Sequence, residues 1–285
     1  MHNPSGRQSP LHGDARLRVG PVPSVPLREE TGTIPAGPFN LAYRVEGVGQ
    51  PVLVVGSALY YARVLSPALR ACVRLAFVDH RGFGRPHAPY GPADYTLDAV
   101  LDDVEAPRQR LGLGRVVVLG HSGHGLLALE YAKRYPEGVS HVVVVAAGPG
   151  HAPEHAAAAE PGRRFVAFCL AMAARSWADP AFDAAPLWHG VRPNMDVVDH
   201  LWGEALRDLD VGAGLAELAA PVLLAAGRLD YLVAPVSAWG PYRAAFRDLT
   251  VRVFEGSGHT PPFEEPEAFA AELVGWLAAR PSTTP

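Results

Sequence analysis

Apolar and polar positions along the chain alternate between two repeating patterns. Pro51-Val52-Leu53-Val54-Val55, Arg74-Leu75-Ala76-Phe77-Val78 and Arg115-Val116-Val117-Val118-Leu119 are short, almost wholly apolar runs. So are His141 to Val145, Pro221 to Ala226 and Thr250 to Phe254. Each reads as a strand buried on both faces. Between them lie stretches with helical periodicity: Val64 to Cys72, Thr96 to Leu111, Leu126 to Tyr135, Val236 to Phe246 and Pro266 to Ala279. Thr96 is a capping residue, and Asp98, Asp102 and Asp103 lie near its helix start. Leu27 to Ile34 and Phe39 to Val45 form two further strands, joined through Pro35-Ala36-Gly37-Pro38 as an edge hairpin. Strands alternating with helices predict a parallel sheet covered on both faces.

The alternation stops between about Gly148 and Ala213. No strand pattern occurs there, but Arg163 to Ala174 and Val197 to Leu209 look helical, and the segment holds Trp177, Trp188 and Trp202. A helical insertion with aromatics between two strands reads as a lid over the strand ends, in preference to a helical layer that only packs on the core. The expected division is therefore an extension over 1–26, a first core segment over 27–148, a helical cap over 149–214 and a second core segment over 215–285. Residues 1–26 are rich in Pro, Gly, Ser and Arg and carry no periodicity, so a loosely packed or disordered extension is expected.

Composition adds exclusions. With 285 residues, 48% of them hydrophobic, the chain has material for a sizeable core. Net charge is −4, which gives no general attraction to nucleic acid or anionic membrane. No apolar run reaches transmembrane length and no signal peptide is apparent, so a cytoplasmic location is expected. Cys72 and Cys169 both sit among apolar neighbours and read as buried, reduced thiols.

Three stretches carry chemistry. Val116 to Gly120 runs into His121-Ser122-Gly123-His124-Gly125 and then into a helix, a strand–turn–helix centred on a serine. Gly227-Arg228-Leu229-Asp230 sets an acid just past a buried strand, and Gly258-His259 sets an imidazole past the next one. Ser122, Asp230 and His259 thus fall at the carboxyl ends of strands, the edge where open α/β sheets bind ligands.

With Asp79-His80-Arg81-Gly82-Phe83-Gly84 after the fourth strand and Glu265-Pro266 after the histidine, the sequence resembles the α/β-hydrolase family, from about residue 35 to residue 280. Proline iminopeptidases, esterases and epoxide-hydrolase-like members are the nearest branch. The resemblance implies an eight-stranded, mostly parallel sheet with a helical cap between the sixth and seventh strands. It also implies Ser122 as nucleophile, His259 as base and Asp230 as its orienting acid, with an oxyanion hole from Gly123 and Ser57. The family usually has a small residue two places after the nucleophile, where this chain has His124. Either the elbow opens or that side chain points away. Val55 stands where many members carry histidine.

Tyr60, Tyr61, His121, Trp188 and Trp202 are candidates to line a substrate pocket. Asp79 and Arg81 read as structural, and Glu264 and Glu265 as groups that cap or orient the closing helix. Neither a metal site nor a cofactor is expected: Pro153 separates His151 from His155, and no phosphate-binding loop occurs. The expected partner is a small molecule, with no nucleic acid or membrane, acted on by a monomer or homodimer. The leading reading is a serine hydrolase that cleaves an ester, lactone or thioester of a small apolar molecule. An aminopeptidase or amidase that uses Glu204, Asp208 and Asp210 for a substrate ammonium is the second. Non-hydrolytic chemistry (C–C cleavage, cyclisation) or ligand binding is the third.

Overall fold

The structure is a computed structural model that describes residues 29–150 and 164–281. The expected extension over 1–26 and the start of the expected cap lie outside those residues. One sheet organises the chain. Its strands are β1 (Glu30–Ala36), β2 (Phe39–Gly47), β3 (Gln50–Gly56), β4 (Val73–Asp79), β5 (Arg85–Pro86), β6 (Val116–His121), β7 (Val139–Val145), β8 (Val222–Gly227) and β9 (Leu249–Phe254). They are ordered β1-β2-β4-β3-β6-β7-β8-β9, and the two-residue β5 pairs with β2. The sheet therefore has nine strands: the expected eight plus a short bridge from the loop after β4. β1, β2 and β4 pair antiparallel, and every pair from β4 to β9 is parallel.

The β1–β2 turn is tighter than expected. Ala36 pairs directly with Phe39, which leaves Gly37-Pro38 as a two-residue loop, with Gly37 at φ +54°. The valines of β6 and β7 divide between two cores. Val116 and Val118 pack with Val142 and Val144, while Val117 and Leu119 pack with Val143 and Val145. Period-two alternation with both faces buried is what a central parallel strand requires.

Ten helices follow among the described residues: α1 (Ala58–Val64), α2 (Pro67–Arg70), α3 (Leu97–Arg110), α4 (Gly123–Arg134), α5 (Arg164–Ala171), α6 (Ala173–Ser176), α7 (Ala185–Trp188), α8 (Met195–His200), α9 (Pro261–Glu264) and α10 (Pro266–Ala278). Three expectations need correction. The helix read over Val64 to Cys72 is two pieces: α1 starts six residues earlier, capped by Ser57, and Pro67 opens α2. Val236 to Phe246 forms 3₁₀ turns rather than an α-helix, with Gly240-Pro241 inside it. The helix read over Val197 to Leu209 is α8 followed by a π-helical turn, Leu201–Ala205. Cys72 is exposed on the turn into β4, so its apolar neighbours misled; Cys169 is partly buried and free. No described helix is long and apolar enough to cross a membrane.

Candidate active site

Ser122 sits where β6 turns into α4. Its backbone has φ 57° and ψ −135°, a conformation that L-residues rarely adopt. Two hydrogen bonds hold the turn: Ser122 N–H donates to the Val145 carbonyl (2.8 Å), and Gly125 N–H donates to the Ser122 carbonyl (2.8 Å). The turn is so tight that a Cβ on Gly120 would lie 1.9 Å from the His124 carbonyl oxygen. The crowding thus falls on the backbone at 124 and not on its side chain, which turns away between Tyr61 and His80. That is how a histidine fits two places after the serine.

Asp230 and His259 arrive from neighbouring loops. The loops touch through glycine: a Cβ on Gly227 would lie 1.8 Å from the Gly258 carbonyl oxygen. His259 Nδ1 stands 2.8 Å from Asp230 Oδ2, and both side chains are nearly buried. Burial pushes the Asp230 carboxyl up. The adjacent imidazole and the N–H groups of Leu232 and Val233 outweigh burial and hold it below the usual range. The imidazole therefore has an ionised partner. Ser122 and His259 line the same cavity. Their side chains make no direct hydrogen bond here.

Two acids fix the histidine loop, a role the sequence reading missed. Glu264 accepts from the N–H groups of Ala178 (2.7 Å), Gly258 (3.1 Å) and Thr260 (2.9 Å). Glu265 accepts from Ser257 Oγ (2.6 Å) and Gly256 N–H (3.0 Å). Both acids were expected to cap or orient the closing helix α10; Glu265 is its N-cap residue but makes no side-chain capping hydrogen bond to it. His259 N–H donates to the Ser176 carbonyl. The loop is thereby tied to the inserted helices through both His259 and Glu264.

Asp79 and Arg81 are structural, and their partners are specific. Asp79 accepts from Ala58 N–H (2.7 Å) and Ala42 N–H (3.3 Å), so it anchors the turn that carries Ser57. Burial pushes its carboxyl up to about 7. Arg81 makes a forked pair with the fully buried Asp103 (2.7 and 2.6 Å). Asp103 therefore belongs to an ion pair and not to the helix start. Ser57 lines the same cavity as Ser122, with its hydroxyl accepting from Tyr60 N–H (3.3 Å). Gly123 is the first residue of α4, where N–H groups have no intrahelical partner.

The cavity measures about 680 Å³ and opens at the carboxyl ends of the strands. Tyr60, Tyr61, His121, Trp188 and Trp202 all line it, as does His124. The sequence reading passed over Phe83, Phe165, Phe168, Cys169, Met195 and Val198, which line it too. Nothing local marks these residues: most belong to inserted helices whose apolar faces could equally have met the core. Burial pushes the Cys169 thiol up to about 12, so it stays protonated. Tyr60 stacks on Trp188 with ring centroids 4.1 Å apart. Among the described residues no cluster of side chains could hold a metal ion.

Behind the serine runs a chain of polar rings that no motif announced. Gly82 N–H donates to His80 Nδ1 (3.0 Å), so that ring carries its proton on Nε2. His80 Nε2–H then donates to His124 Nε2 (3.1 Å), and His124 Nδ1–H donates to the Tyr61 hydroxyl (3.0 Å). Tyr61 donates onward to His121 Nδ1 (3.3 Å), and His121 Nε2–H donates to the His259 carbonyl (2.8 Å). An amide at one end and a carbonyl at the other fix every tautomer between them. Burial pushes His80 and His121 down to about 3 and His124 well below its usual value, so all three rings are neutral.

Comparison with known proteins agrees with this architecture. Residues 52–272 match the model of the alpha/beta hydrolase family. The AB hydrolase superfamily protein YclE of Bacillus subtilis is 39% identical over 278 residues, covering 87% of this chain and 99% of that protein. A putative carbamate hydrolase, RutD, of a Caulobacter species is 28% identical, covering 78% and 87%. The crystal structure of the proline iminopeptidase of Mycobacterium smegmatis superposes with a TM-score of 0.68 at 23% identity, covering 88% and 98% of the two chains. On the extent of the family match and the similarity to YclE, the chain belongs to the alpha/beta hydrolase family.

Proposed function

We propose that the chain is a serine hydrolase that cleaves an ester, lactone or thioester of a small, largely apolar molecule through an acyl-enzyme on Ser122. The observation that carries this reading is the Asp230–His259 pair, whose imidazole lines the cavity that Ser122 also lines from its strained turn. As Ser122 Oγ attacks the substrate carbonyl, its proton passes to His259 Nε2, and Asp230 stabilises the imidazolium. The carbonyl oxygen becomes an oxyanion facing the N–H groups of Gly123 and Ser57. Collapse expels the alcohol or thiol, which takes the proton from His259. Water then attacks the acyl-enzyme with His259 again as base. The inserted helices act as the cap, and the apolar lining suits an acyl group.

The charge around the cavity favours this reading over an aminopeptidase. Glu204 pairs with His200, Asp208 with Arg207, and Asp210 accepts from Gly212 N–H; none of the three lines the cavity. Among the described lining residues the carboxylate is Asp199, which pairs with Arg164. A substrate ammonium would therefore find no unpaired acid among the described lining residues.

The test is turnover of p-nitrophenyl acyl esters and of a prolyl arylamide by the wild-type chain and by Ser122→Ala. The reading expects ester turnover that falls by at least about a thousandfold in the folded variant. Undiminished activity in the variant contradicts it, and arylamide turnover without ester turnover supports the aminopeptidase.

A further inference from the structure

Gly123, the residue after the candidate nucleophile, has an indole lying against it. A Cβ built on Gly123 would meet Trp202 Nε1 at 2.6 Å, Cε2 at 3.0 Å and Cζ2 at 3.3 Å. The nitrogen is thus the ring atom nearest that Cβ position, and a side chain there would have to displace the ring. Trp202 lines the cavity, and its N–H makes no hydrogen bond within the described residues. Trp239 and Trp276, which do not line the cavity, donate theirs to the Ala147 carbonyl (2.8 Å) and to Thr250 Oγ1 (3.0 Å); the other cavity tryptophans, Trp177 and Trp188, make no such bond among the described residues, but of the three it is Trp202 that meets Gly123. An indole N–H that faces the cavity beside the Ser122 turn, with no acceptor among the described residues, is a donor available to a ligand.

The ring is also held firmly. It packs edge-on against His124, with centroids 5.1 Å apart, and against Phe165 at 5.6 Å. His124 is itself fixed by His80 and Tyr61, so the indole rests on a braced partner. Trp202 lies in the π-helical turn Leu201–Ala205, and such turns recur where a helix must aim one side chain at a site.

We infer that Trp202 is a further catalytic residue: its indole N–H is a third donor to the oxyanion, beside the N–H groups of Gly123 and Ser57. This rests on the serine-hydrolase reading. The bond is made when negative charge develops on the former carbonyl oxygen, so it lowers the barrier more than it aids substrate binding. Because Trp202 belongs to the inserted helices, seating those helices would complete the site as well as cover it.

The experiment is the rate at which a fluorophosphonate labels wild type and Trp202→Phe, which keeps an aromatic ring and removes the N–H. The phosphoryl oxygen occupies the oxyanion position during attack. A saturation series separates the maximal labelling rate from the reversible affinity. We expect the maximal rate to fall by about tenfold to a hundredfold with affinity nearly unchanged. An unchanged rate, or a loss confined to affinity, overturns the proposal.

Should the variant fail to fold, the wild-type chain is read directly. The Trp202 indole proton resonance, assigned with the other four tryptophans replaced singly by Phe, should move downfield when the serine is phosphonylated. A resonance that stays in place overturns the proposal. Wild-type protein that resists labelling altogether is the separate failure of the serine-hydrolase reading.

Discussion

The His121 imidazole lies against that of His259, with ring centroids 4.6 Å apart, and its Nε2–H donates to the His259 carbonyl at 2.8 Å. The residue before the proposed nucleophile thus holds the main chain of the proposed base. If that bond sets the position of His259, removing it should cost turnover more than binding. His121→Phe is expected to lower kcat by about tenfold to a hundredfold with little change in KM, as sub-ångström displacement of a catalytic group does. His121→Gln, whose amide nitrogen can reach the place of Nε2, should retain most of the rate. Steady-state kinetics of the two variants on one ester checks this. Equal rates in both would contradict it.

Three neutral buried histidines make the fold sensitive to acid. His80 and His121 are pushed from an ordinary value of 6.5 down to about 3, and His124 also lies well below 6.5. Between those limits the unfolded chain binds more protons than the folded one, so stability falls as pH drops below about 6.5. Asp79, pushed from 3.8 up to about 7, acts in the opposite sense: the folded chain holds that proton, and its contribution fades as pH rises towards 7. Three imidazoles outweigh one carboxyl. The urea midpoint should therefore fall between pH 7 and pH 5, and fall less steeply in His80→Gln. A midpoint that stays flat or rises on acidification would contradict this.

Glu264 gathers three backbone donors from two segments, Ala178 from the inserted helices and Gly258 and Thr260 from the histidine loop. An amide in its place accepts with one oxygen and turns its own N–H groups on the others. Glu264→Gln is expected to lower stability by about 1–3 kcal/mol and to slow turnover as the loop loosens. Glu267→Gln, at an exposed position on α10, should change neither. Denaturant midpoints and kcat of the pair check this, and equal behaviour of the two variants would count against the role given to Glu264.

The parts of the site legible in sequence are those fixed by local backbone geometry. Ser122, Asp230 and His259 each follow a strand of small and β-branched residues and sit among glycines, a pattern with few structural meanings. The rest depends on residues distant in sequence that meet only once the sheet is built. Tyr61, His80 and His124 gave no sign of forming one chain, because they come from three separate elements. Glu264 looked like a helix acid because Pro266 follows so closely, but the donors it meets lie on the loop before it. α1 was legible and was passed over: Ser57 before Ala58-Leu59-Tyr60-Tyr61 is a cap, and Ser66-Pro67 marks a fresh start. The π-turn at Leu201–Ala205 has no local signal, since its apolar residues fit an ordinary helix equally well.

Everything functional depends on Ser122 being the atom that attacks. The most direct measurement is the mass of the folded protein after exposure to a fluorophosphonate, followed by mapping of the modified peptide. The account expects a single adduct, located on Ser122, absent from Ser122→Ala and formed much more slowly by Asp230→Asn. No adduct on the folded wild-type chain, or one on another residue that survives in Ser122→Ala, would contradict it.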